Sequence, residues 1–479
     1  MESPHPIRQH PEAAIRRIAP RRTAPRRTAP WRIAPWRVVP ALLAGLLGLW
    51  GLTRGGSMWR DESVTWQVAH RPLGGLGELL AQVDAVHGLY YLLLHGVFAV
   101  WDGGPLALRL PSVAATALAA AGVAATARRL AGERAALLAG TVYAVLPPVQ
   151  MYAQEGRSYA LVAAAVVWAT YLMLRERWAA YAVVLLTGCW LHEFAVLALA
   201  AHAVFARRSR GWRFAAGTVV VLLLPLALVS ARQAQEQLGW LGRPSWQDWT
   251  AYGVLAGAVL LLARGAAERD ERDLVRVAVP LALLPPGLLL AVSLVHPWYV
   301  DRYVLYALAG FALAAGARLA AARGRWPWLL VAALLVPCAL WSAWLRTPDS
   351  RKDDVLAVAA AVRERARPGD AVVFLPSRRR EWLLSSPEVY AGLRDVALDR
   401  SPAASRSLQG TELPSAEIRE ALIDSPRVIA LLDPADQPLD PYPREAVKRQ
   451  TLDAWFDRCS VTAVRGARVV VYARPGGCP

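Results

Sequence analysis

The sequence is poor in several residue types, and each scarcity excludes a class of protein or site. Of its 479 residues, 4 are cysteine and only 19% are charged. The cysteines form no Cys-x-x-Cys pair, so the spacing of a structural zinc site is missing. The sequence also has no phosphate-binding loop and no Gly-x-Gly-x-x-Gly fingerprint, which argues against nucleotide sites of these two kinds.

Apolar residues are abundant and make up 55% of the chain. They form repeated runs long enough to cross a bilayer, which a soluble domain of this size would not carry. The net charge of +17 lies in the first forty residues, in short segments between the apolar runs and in the last third. This distribution is typical of membrane topology, so we expect a polytopic membrane protein with membrane lipids as partners and no nucleic-acid partner.

Residues 16–40 repeat a five-residue unit that contains arginine and proline. A proline every fifth residue prevents a continuous helix, and a basic segment with few apolar residues cannot form a core. We therefore predict that residues 1–37 are a disordered, basic cytoplasmic tail. Its arginines either rest on anionic headgroups, at about 1 kcal/mol each, or are solvated and only set the orientation of the chain.

The middle of the chain, residues 38–345, contains eleven apolar runs that we predict to be membrane spans. Several are short and need flanking residues or a locally thinner bilayer. The predicted fold class is therefore an all-α polytopic membrane domain with about eleven transmembrane helices. The predicted spans are 38–53, 106–127, 135–151, 159–174, 179–191, 194–206, 213–230, 250–265, 276–295, 302–318 and 326–345.

The spacers between the runs alternate between a basic and a mixed polar character, which indicates orientation. Because Lys and Arg accumulate in cytoplasmic loops, we place the basic spacers and the N-terminus in the cytoplasm and the mixed spacers outside. The basic spacers are 128–134, 175–177, 207–213, 264–276 and 318–325. The mixed spacers contain Asp61 and residues 154–157, 192–193, 231–249 and 296–302.

The apolar segment 88–101 tests this arrangement, because a further span there would turn every later basic spacer outward. The segment is shorter than the roughly 17 residues that a span needs. We predict that it is a helix in the membrane interface, within a first outer loop of residues 54–105. The C-terminus then faces outside.

Residues 346–479 change to a mixed polar composition and are predicted to form a small extracytoplasmic α/β domain. A helical pattern over 355–366 precedes the apolar strand 371–375, and further strands are predicted at 428–432, 461–464 and 467–473. Cys459 and Cys478 could form a disulfide if this domain faces an oxidising compartment. The fold alone indicates no site in this domain.

Two adjacent carboxylates, Asp61 and Glu62, follow the first apolar run. Such acids could be a solvated helix end or could pair with Arg60, but a carboxylate at a membrane surface could also act as a base. Asp84 and His87 lie in the same predicted loop.

Further charged residues fall on the same predicted face of the membrane. They are Glu155 with Arg157, and Asp301 with Arg302. Structural ion pairs at helix ends explain part of this clustering. The other interpretation is a reaction site, in which acids abstract a proton and cations stabilise an anionic leaving group.

Five short motifs follow one another along the chain: Trp59-Arg-Asp-Glu62, Asp84-x-x-His87-Gly-x-Tyr90-Tyr91, Arg109-Leu-Pro-Ser112, Tyr152-Ala-Gln-Glu155-Gly-Arg157-Ser-Tyr159 and Asp301-Arg302-Tyr303. With these motifs, the sequence over about residues 40–310 resembles the bacterial GT-C glycosyltransferases of the protein-mannosyltransferase and aminoarabinose-transferase type. The resemblance implies a polyprenyl-phosphate sugar donor, a hydroxyl acceptor on a protein or glycan, reaction at the extracytoplasmic face of the bacterial plasma membrane, and inversion at the anomeric carbon.

The resemblance also assigns roles to individual residues. Asp61 matches the general base of the family, while His87, Arg157 and Arg302 are expected to bind the donor phosphate. His87 is followed by Gly88-Leu89 where relatives have two prolines, so its phosphate contact departs from the family pattern. The residues expected to support the site are Glu62, Asp84, Glu155 and Tyr303.

The resemblance leaves several properties open. Mannose or arabinose is the sugar suggested by analogy. No metal ligand can be assigned, although some relatives use a divalent metal. His192-Glu193 could contact a metal or an acceptor, or could be a satisfied pair at a helix end. The alternative functions are a transporter or flippase of lipid-linked sugars, which nearly charge-free spans without repeats do not favour, and a non-catalytic envelope assembly protein.

Overall fold

The computed structural model describes residues 34–239, 241–264 and 269–478. The predicted disordered tail falls almost entirely on residues 1–33, which lie outside the described residues. Its last residues, Pro35–Arg37, form one turn of 3-10 helix before the first α-helix.

A bundle of helices forms the first two thirds of the described chain. Long apolar runs of alanine, leucine and valine favour helix because a backbone in lipid must satisfy its own hydrogen bonds. The helices are α1 (Val39–Leu49), α2 (Arg60–Ala69), α3 (Leu73–Leu80), α4 (Gly88–Val100), α5 (Pro105–Ala131), α6 (Glu133–Val145), α7 (Pro147–Ala153), α8 (Tyr159–Leu174), α9 (Trp178–Leu191), α10 (Ala198–Ala206), α11 (Arg210–Leu238), α12 (Trp246–Ala263), α13 (Arg269–Val292), α14 (Ala307–Ala321) and α15 (Trp326–Leu345).

Each of the eleven predicted spans coincides with a helix or a pair of helices, but their lengths differ. Among the described residues, four helices are long and apolar enough to cross a membrane. The pair α6 and α7, bent by 65° at Leu146, adds a fifth if it counts as one span. The remaining apolar helices are shorter, so the number of eleven spans stays a prediction. The four long segments are Pro105–Ala131, Arg210–Ala234, Arg272–Val292 and Trp326–Leu345.

The segment between α1 and α5 contains three helices, α2, α3 and α4. Helix α4 has 13 residues, which agrees with the short helix predicted over 88–101. Its buried face includes Tyr90, Tyr91 and Leu94, so it packs against protein along one side. The segment is therefore a folded layer on the bundle.

The last third of the described chain forms a small α/β unit, and the four predicted strands are confirmed. The main sheet has five strands in the order β2 (Arg394–Asp395), β1 (Ala371–Leu375), β5 (Arg427–Leu432), β7 (Ala467–Ala473) and β6 (Asp457–Val464). Strands β2, β1 and β5 are parallel, and β7 is antiparallel to β5 and to β6. Two further strands, β3 (Leu398–Arg400) and β4 (Thr411–Glu412), pair separately.

The bounds of these elements are α16 (Val355–Arg365), β1 (Ala371–Leu375), α17 (Glu381–Leu384), α18 (Pro387–Tyr390), β2 (Arg394–Asp395), β3 (Leu398–Arg400), β4 (Thr411–Glu412), α19 (Ser415–Ile423), β5 (Arg427–Leu432), α20 (Pro443–Trp455), β6 (Asp457–Val464) and β7 (Ala467–Ala473). Cys459 and Cys478 form a disulfide at the end of this unit.

Hydrogen bonds hold the α/β unit against the start of α2. The backbone N–H of Arg60 donates to Asp353 Oδ1 at 2.8 Å, which satisfies an otherwise free amide in the first turn of the helix. The N–H of Val355 donates to the carbonyl of Met58 at 2.7 Å. The Ser63 hydroxyl donates to the carbonyl of Glu381 at 3.0 Å. The two parts of the chain therefore jointly determine where α2 begins.

Helices α6 and α14 pack closely through small residues, and this contact can be tested by substitution. A Cβ added at Gly316 in α14 would lie 2.4 Å from the backbone nitrogen of Ala139 in α6. Overpacking of this kind typically costs about 1–3 kcal/mol. We expect Gly316→Ala to lower the thermal unfolding midpoint of the detergent-solubilised protein. Gly257→Ala, where an added Cβ meets nothing within 4 Å, is the matched control; equal midpoints for the two variants would contradict this packing.

Candidate active site

A cavity of about 1250 Å³ lies between the helical bundle and the α/β unit. One wall comes from α2, the segment before α4, the start of α8, the segment after α9, the C-terminal half of α11 and the turn before α14. The other wall comes from the segments that follow β1, β3 and β5. Since β1 and β5 are parallel neighbours, their carboxyl ends open at one edge of the sheet, where α/β folds commonly bind ligands. Polar groups from both parts of the chain therefore face one space.

Asp61 lies in the first turn of α2 and faces this cavity. Its carboxylate lies 3.7 Å from the guanidinium of Arg302 and 3.7 Å from that of Arg60, beyond hydrogen-bond distance. Burial alone would raise the pKa of Asp61, but Arg157 and Arg302 outweigh it and hold the pKa below its usual value. Asp61 is therefore ionised at neutral pH, with its oxygens available to a hydroxyl group.

Glu62, the next residue, points the opposite way and is fully buried. Its carboxylate accepts hydrogen bonds from Arg54 at 2.5 Å, from Arg109 at 2.7 and 2.8 Å, and from the N–H of Gly156 at 2.9 Å. Burial would raise the pKa of Glu62, but the two arginines lower it to about 2. Glu62 is therefore an anchor that joins α2 to α5 and to the loop before α8.

The loop between α7 and α8 carries the predicted residues Glu155 and Arg157. The hydroxyl of Ser112 in α5 donates to the carbonyls of both, at 2.6 and 3.1 Å. The side chain of Glu155 pairs with Arg351 at 2.9 Å, so it does not orient Arg157. Arg157 thus lines the cavity, whereas Glu155 does not.

Asp84, His87 and Arg157 form a hydrogen-bonded chain along the cavity wall. The His87 Nδ1 lies 2.7 Å from Asp84 Oδ1, and its Nε2 lies 3.2 Å from Arg157 Nη2. Because arginine can only donate, Nε2 must accept and the proton must lie on Nδ1. Tyr91 also donates to Asp84. His87 is thus neutral when both bonds form, and it orients the guanidinium of Arg157.

Arg302 completes the cationic side of the cavity. Its Nε donates to the hydroxyl of Tyr159 at 3.0 Å, and its guanidinium lies 5.6–5.8 Å from the ring centres of Trp59, Tyr159 and Tyr303. Such cation–π contacts restrict a long side chain that would otherwise be mobile. Tyr303 is therefore one of three aromatic rings that surround the Arg302 guanidinium.

Other residues of the cavity have roles that the sequence did not reveal. The His192 ring lies against that of Tyr303, with ring centres 4.3 Å apart and ring planes tilted by 39°, and its Nδ1 has no hydrogen-bond partner among the described residues. Glu193 instead accepts from Ser230 at 3.0 Å, so these neighbours form no pair with each other. Glu381 enters the cavity from the α/β unit.

Within the described part of the chain, no group of three or more His, Cys, Asp or Glu side chains is arranged to hold a metal.

Solved structures share this architecture. ArnT from Cupriavidus metallidurans, bound to undecaprenyl phosphate, aligns with a TM-score of 0.53 and 12% identity over 92% of this chain and 98% of its own. Apo ArnT gives 0.54 and 13% over 91% and 97%. The chain has the GT-C glycosyltransferase fold.

Two further comparisons give matches. The family model described as dolichyl-phosphate-mannose-protein mannosyltransferase matches residues 89–192, which include nearly all of α4 and the loop with Arg157. An Archaeoglobus fulgidus oligosaccharyltransferase, tethered to an acceptor peptide, aligns with a TM-score of 0.47 and 11% identity over 92% of this chain and 74% of its own. No curated protein matches the sequence significantly.

The opposite orientations of Asp61 and Glu62 predict different effects of removing each charge. Glu62→Gln leaves Arg54 and Arg109 buried without a counter-charge, which typically costs about 3–5 kcal/mol. We expect this variant to unfold at a clearly lower temperature than the wild type in thermal denaturation. Asp61→Asn, which breaks no hydrogen bond, should unfold near the wild-type temperature. If Asp61→Asn were the less stable variant, the assignment of Glu62 as the anchor would be wrong.

Proposed function

We propose that this protein is an integral-membrane glycosyltransferase that moves a sugar from a polyprenyl-phosphate donor to a hydroxyl acceptor. The observation that carries the proposal is one ionised carboxylate, Asp61, facing a cavity together with two guanidinium groups, Arg157 and Arg302. The ArnT structure with undecaprenyl phosphate supports a lipid donor, because that molecule is what such a donor leaves behind. The family match over 89–192 also supports this class of donor.

Asp61 acts as the general base in this reaction. The acceptor hydroxyl gives its proton to the Asp61 carboxylate while its oxygen forms a bond to the anomeric carbon of the sugar. The bond between that carbon and the phosphate oxygen breaks on the opposite face, so the configuration inverts. A sugar phosphodiester already has a good leaving group, and this explains why a base matters more than an acid.

Arg157 and Arg302 stabilise the charge that develops on the leaving phosphate. The phosphodiester carries one negative charge, and the departing phosphomonoester carries up to two. Preorganised cations contribute more to such a transition state than the same charges would in bulk water. His87 and Asp84 act through Arg157, since their hydrogen bonds set the direction of its guanidinium.

We place the reaction at the extracytoplasmic face of a bacterial plasma membrane. The positive-inside pattern of the spacers supports this orientation. The disulfide between Cys459 and Cys478 also supports it, because disulfides persist in oxidising compartments. The polyprenyl chain would then reach the cavity from the lipid, between helices of the bundle.

The role of Asp61 is testable with membranes supplied with a panel of radiolabelled polyprenyl-phosphate sugars. We expect Asp61→Asn to reduce transfer by about 10²–10⁴-fold, the usual contribution of a general base. Asp102→Asn is the matched control, because Asp102 lies in the same segment but outside the cavity and pairs with His70. If Asp61→Asn transferred sugar at near the wild-type rate, Asp61 could not be the base. If the protein were a transporter, the wild type would move lipid-linked sugar across the membrane without transferring it to an acceptor.

The phosphate role of Arg302 predicts a distinct signature. We expect Arg302→Gln to lower the turnover number by about 10²-fold or more, since it removes transition-state charge stabilisation. The same variant should bind undecaprenyl phosphate more weakly as a product inhibitor. Arg323→Gln is the control, because Arg323 is exposed just after the end of α14 and does not line the cavity. Unchanged inhibition by undecaprenyl phosphate in Arg302→Gln would argue against phosphate contact.

A further inference from the structure

A second carboxylate, that of Glu381, faces the same cavity as Asp61 from the α/β unit. Glu381 is 9% exposed, and its carboxylate makes no hydrogen bond or ion pair with another described residue. A buried carboxylate normally has such partners, because an unpaired one carries a desolvation cost. Glu381 therefore has no direct hydrogen-bond or ion-pair partner for its charge among the described residues, although Arg60 and Arg378 lie near enough to influence it.

The backbone around Glu381 is fixed independently of its side chain. Ser63 in α2 donates to the Glu381 carbonyl at 3.0 Å and to the Ser385 hydroxyl at 2.9 Å. Ser63 lies two residues after Asp61 in the same helix. The contact between α2 and α17 thus presents both carboxylates to one space.

The charged groups around Glu381 come from several elements. Arg60 and Asp61 face it from α2, Asp84 faces it from the segment before α4, and Arg378 precedes it after β1. Lys352 and Asp353 line the same wall. Burial, the largest effect, raises the pKa of Glu381 to about 7, Arg60 and Arg378 lower it, and the charges of Asp61 and Asp84 raise it.

The two carboxylates therefore differ in their affinity for a proton. The pKa of Asp61 is held below its usual value, whereas the pKa of Glu381 is raised. Carboxylate pairs whose environments separate their proton affinities commonly divide the acid and base tasks of a reaction. A proton taken up by Asp61 is thus more stable on Glu381.

We propose that Glu381 is the final proton acceptor of the transfer reaction, receiving through the cavity the acceptor proton that Asp61 abstracts. This inference rests on the proposed function. In the reaction, the acceptor oxygen replaces the phosphate oxygen on the anomeric carbon of the sugar, and the leaving phosphate keeps the bonding electrons. The proton moves from the acceptor hydroxyl to Asp61 and then to Glu381. Asp61 is ionised again, and Glu381 returns its proton to solvent.

The test is the pH dependence of sugar transfer. In the wild type, Glu381 must be ionised to accept a proton, so kcat/KM should fall with decreasing pH below about 7. Glu381→Gln removes the acceptor, so transfer at pH 8 should fall by about 10²-fold and the decrease near pH 7 should disappear. Glu381→Asp keeps a carboxylate and should shift the decrease to lower pH. Glu388→Gln, at an exposed ion pair with Arg363, is the control for the α/β unit.

The outcomes separate this inference from the proposed function. A wild-type protein that transfers no sugar would overturn the proposed function and the inference together. A wild type that transfers sugar, with a Glu381→Gln profile that keeps the decrease near pH 7, would overturn the inference alone. A uniform loss of activity at every pH in Glu381→Gln would also overturn it, since that result indicates a structural role. If Glu381→Gln fails to fold, the profile of Glu381→Asp decides.

Discussion

The buried carboxylate of Glu62 is the interaction on which the rest of the junction depends. Two guanidinium groups and one backbone N–H converge on it from α5, from the segment after α1 and from the loop before α8. Buried ion pairs add little net stability but fail severely when one partner is lost, so they favour a single arrangement. Because Glu62 is held inward at the start of α2, Asp61 must project outward, toward the cavity. The position of the proposed base is thus a consequence of its neighbour.

The α/β unit contributes to this arrangement as much as the bundle does. Asp353 accepts from the first turn of α2, and α17 packs against the same helix through Ser63. The cavity exists because the carboxyl edge of a small sheet closes over a polar surface of the bundle. A unit that the sequence presented without a site therefore supplies one wall of the candidate site and the carboxylate of Glu381.

Sequence patterns predicted the elements well where composition changes sharply. Helix α15 and strand β1 have the predicted bounds, because their apolar runs are flanked by arginines in α15 and by an aspartate and a proline in β1. The sequence could not distinguish the roles of Asp61 and Glu62, since adjacent acids look alike until packing turns one inward. The clustering of Glu155 and Arg157 in the sequence left an ion pair between them open, but Glu155 pairs with Arg351, almost two hundred residues later. Glu381 was missed because only the packing of distant segments brings it beside α2.

The charge balance of the cavity explains why the same arginines can serve both the resting protein and the proposed reaction. At rest, Arg157 and Arg302 stabilise the ionised Asp61. In the proposed transfer, Asp61 gains a proton and becomes neutral while the leaving phosphate gains a negative charge. In this step the negative charge thus moves from the carboxylate to the phosphate near the same two cations, so the net charge that the two arginines face does not change until Asp61 loses its proton again. Such a fixed environment needs little reorganisation as the charge moves, which is the physical basis of electrostatic preorganisation.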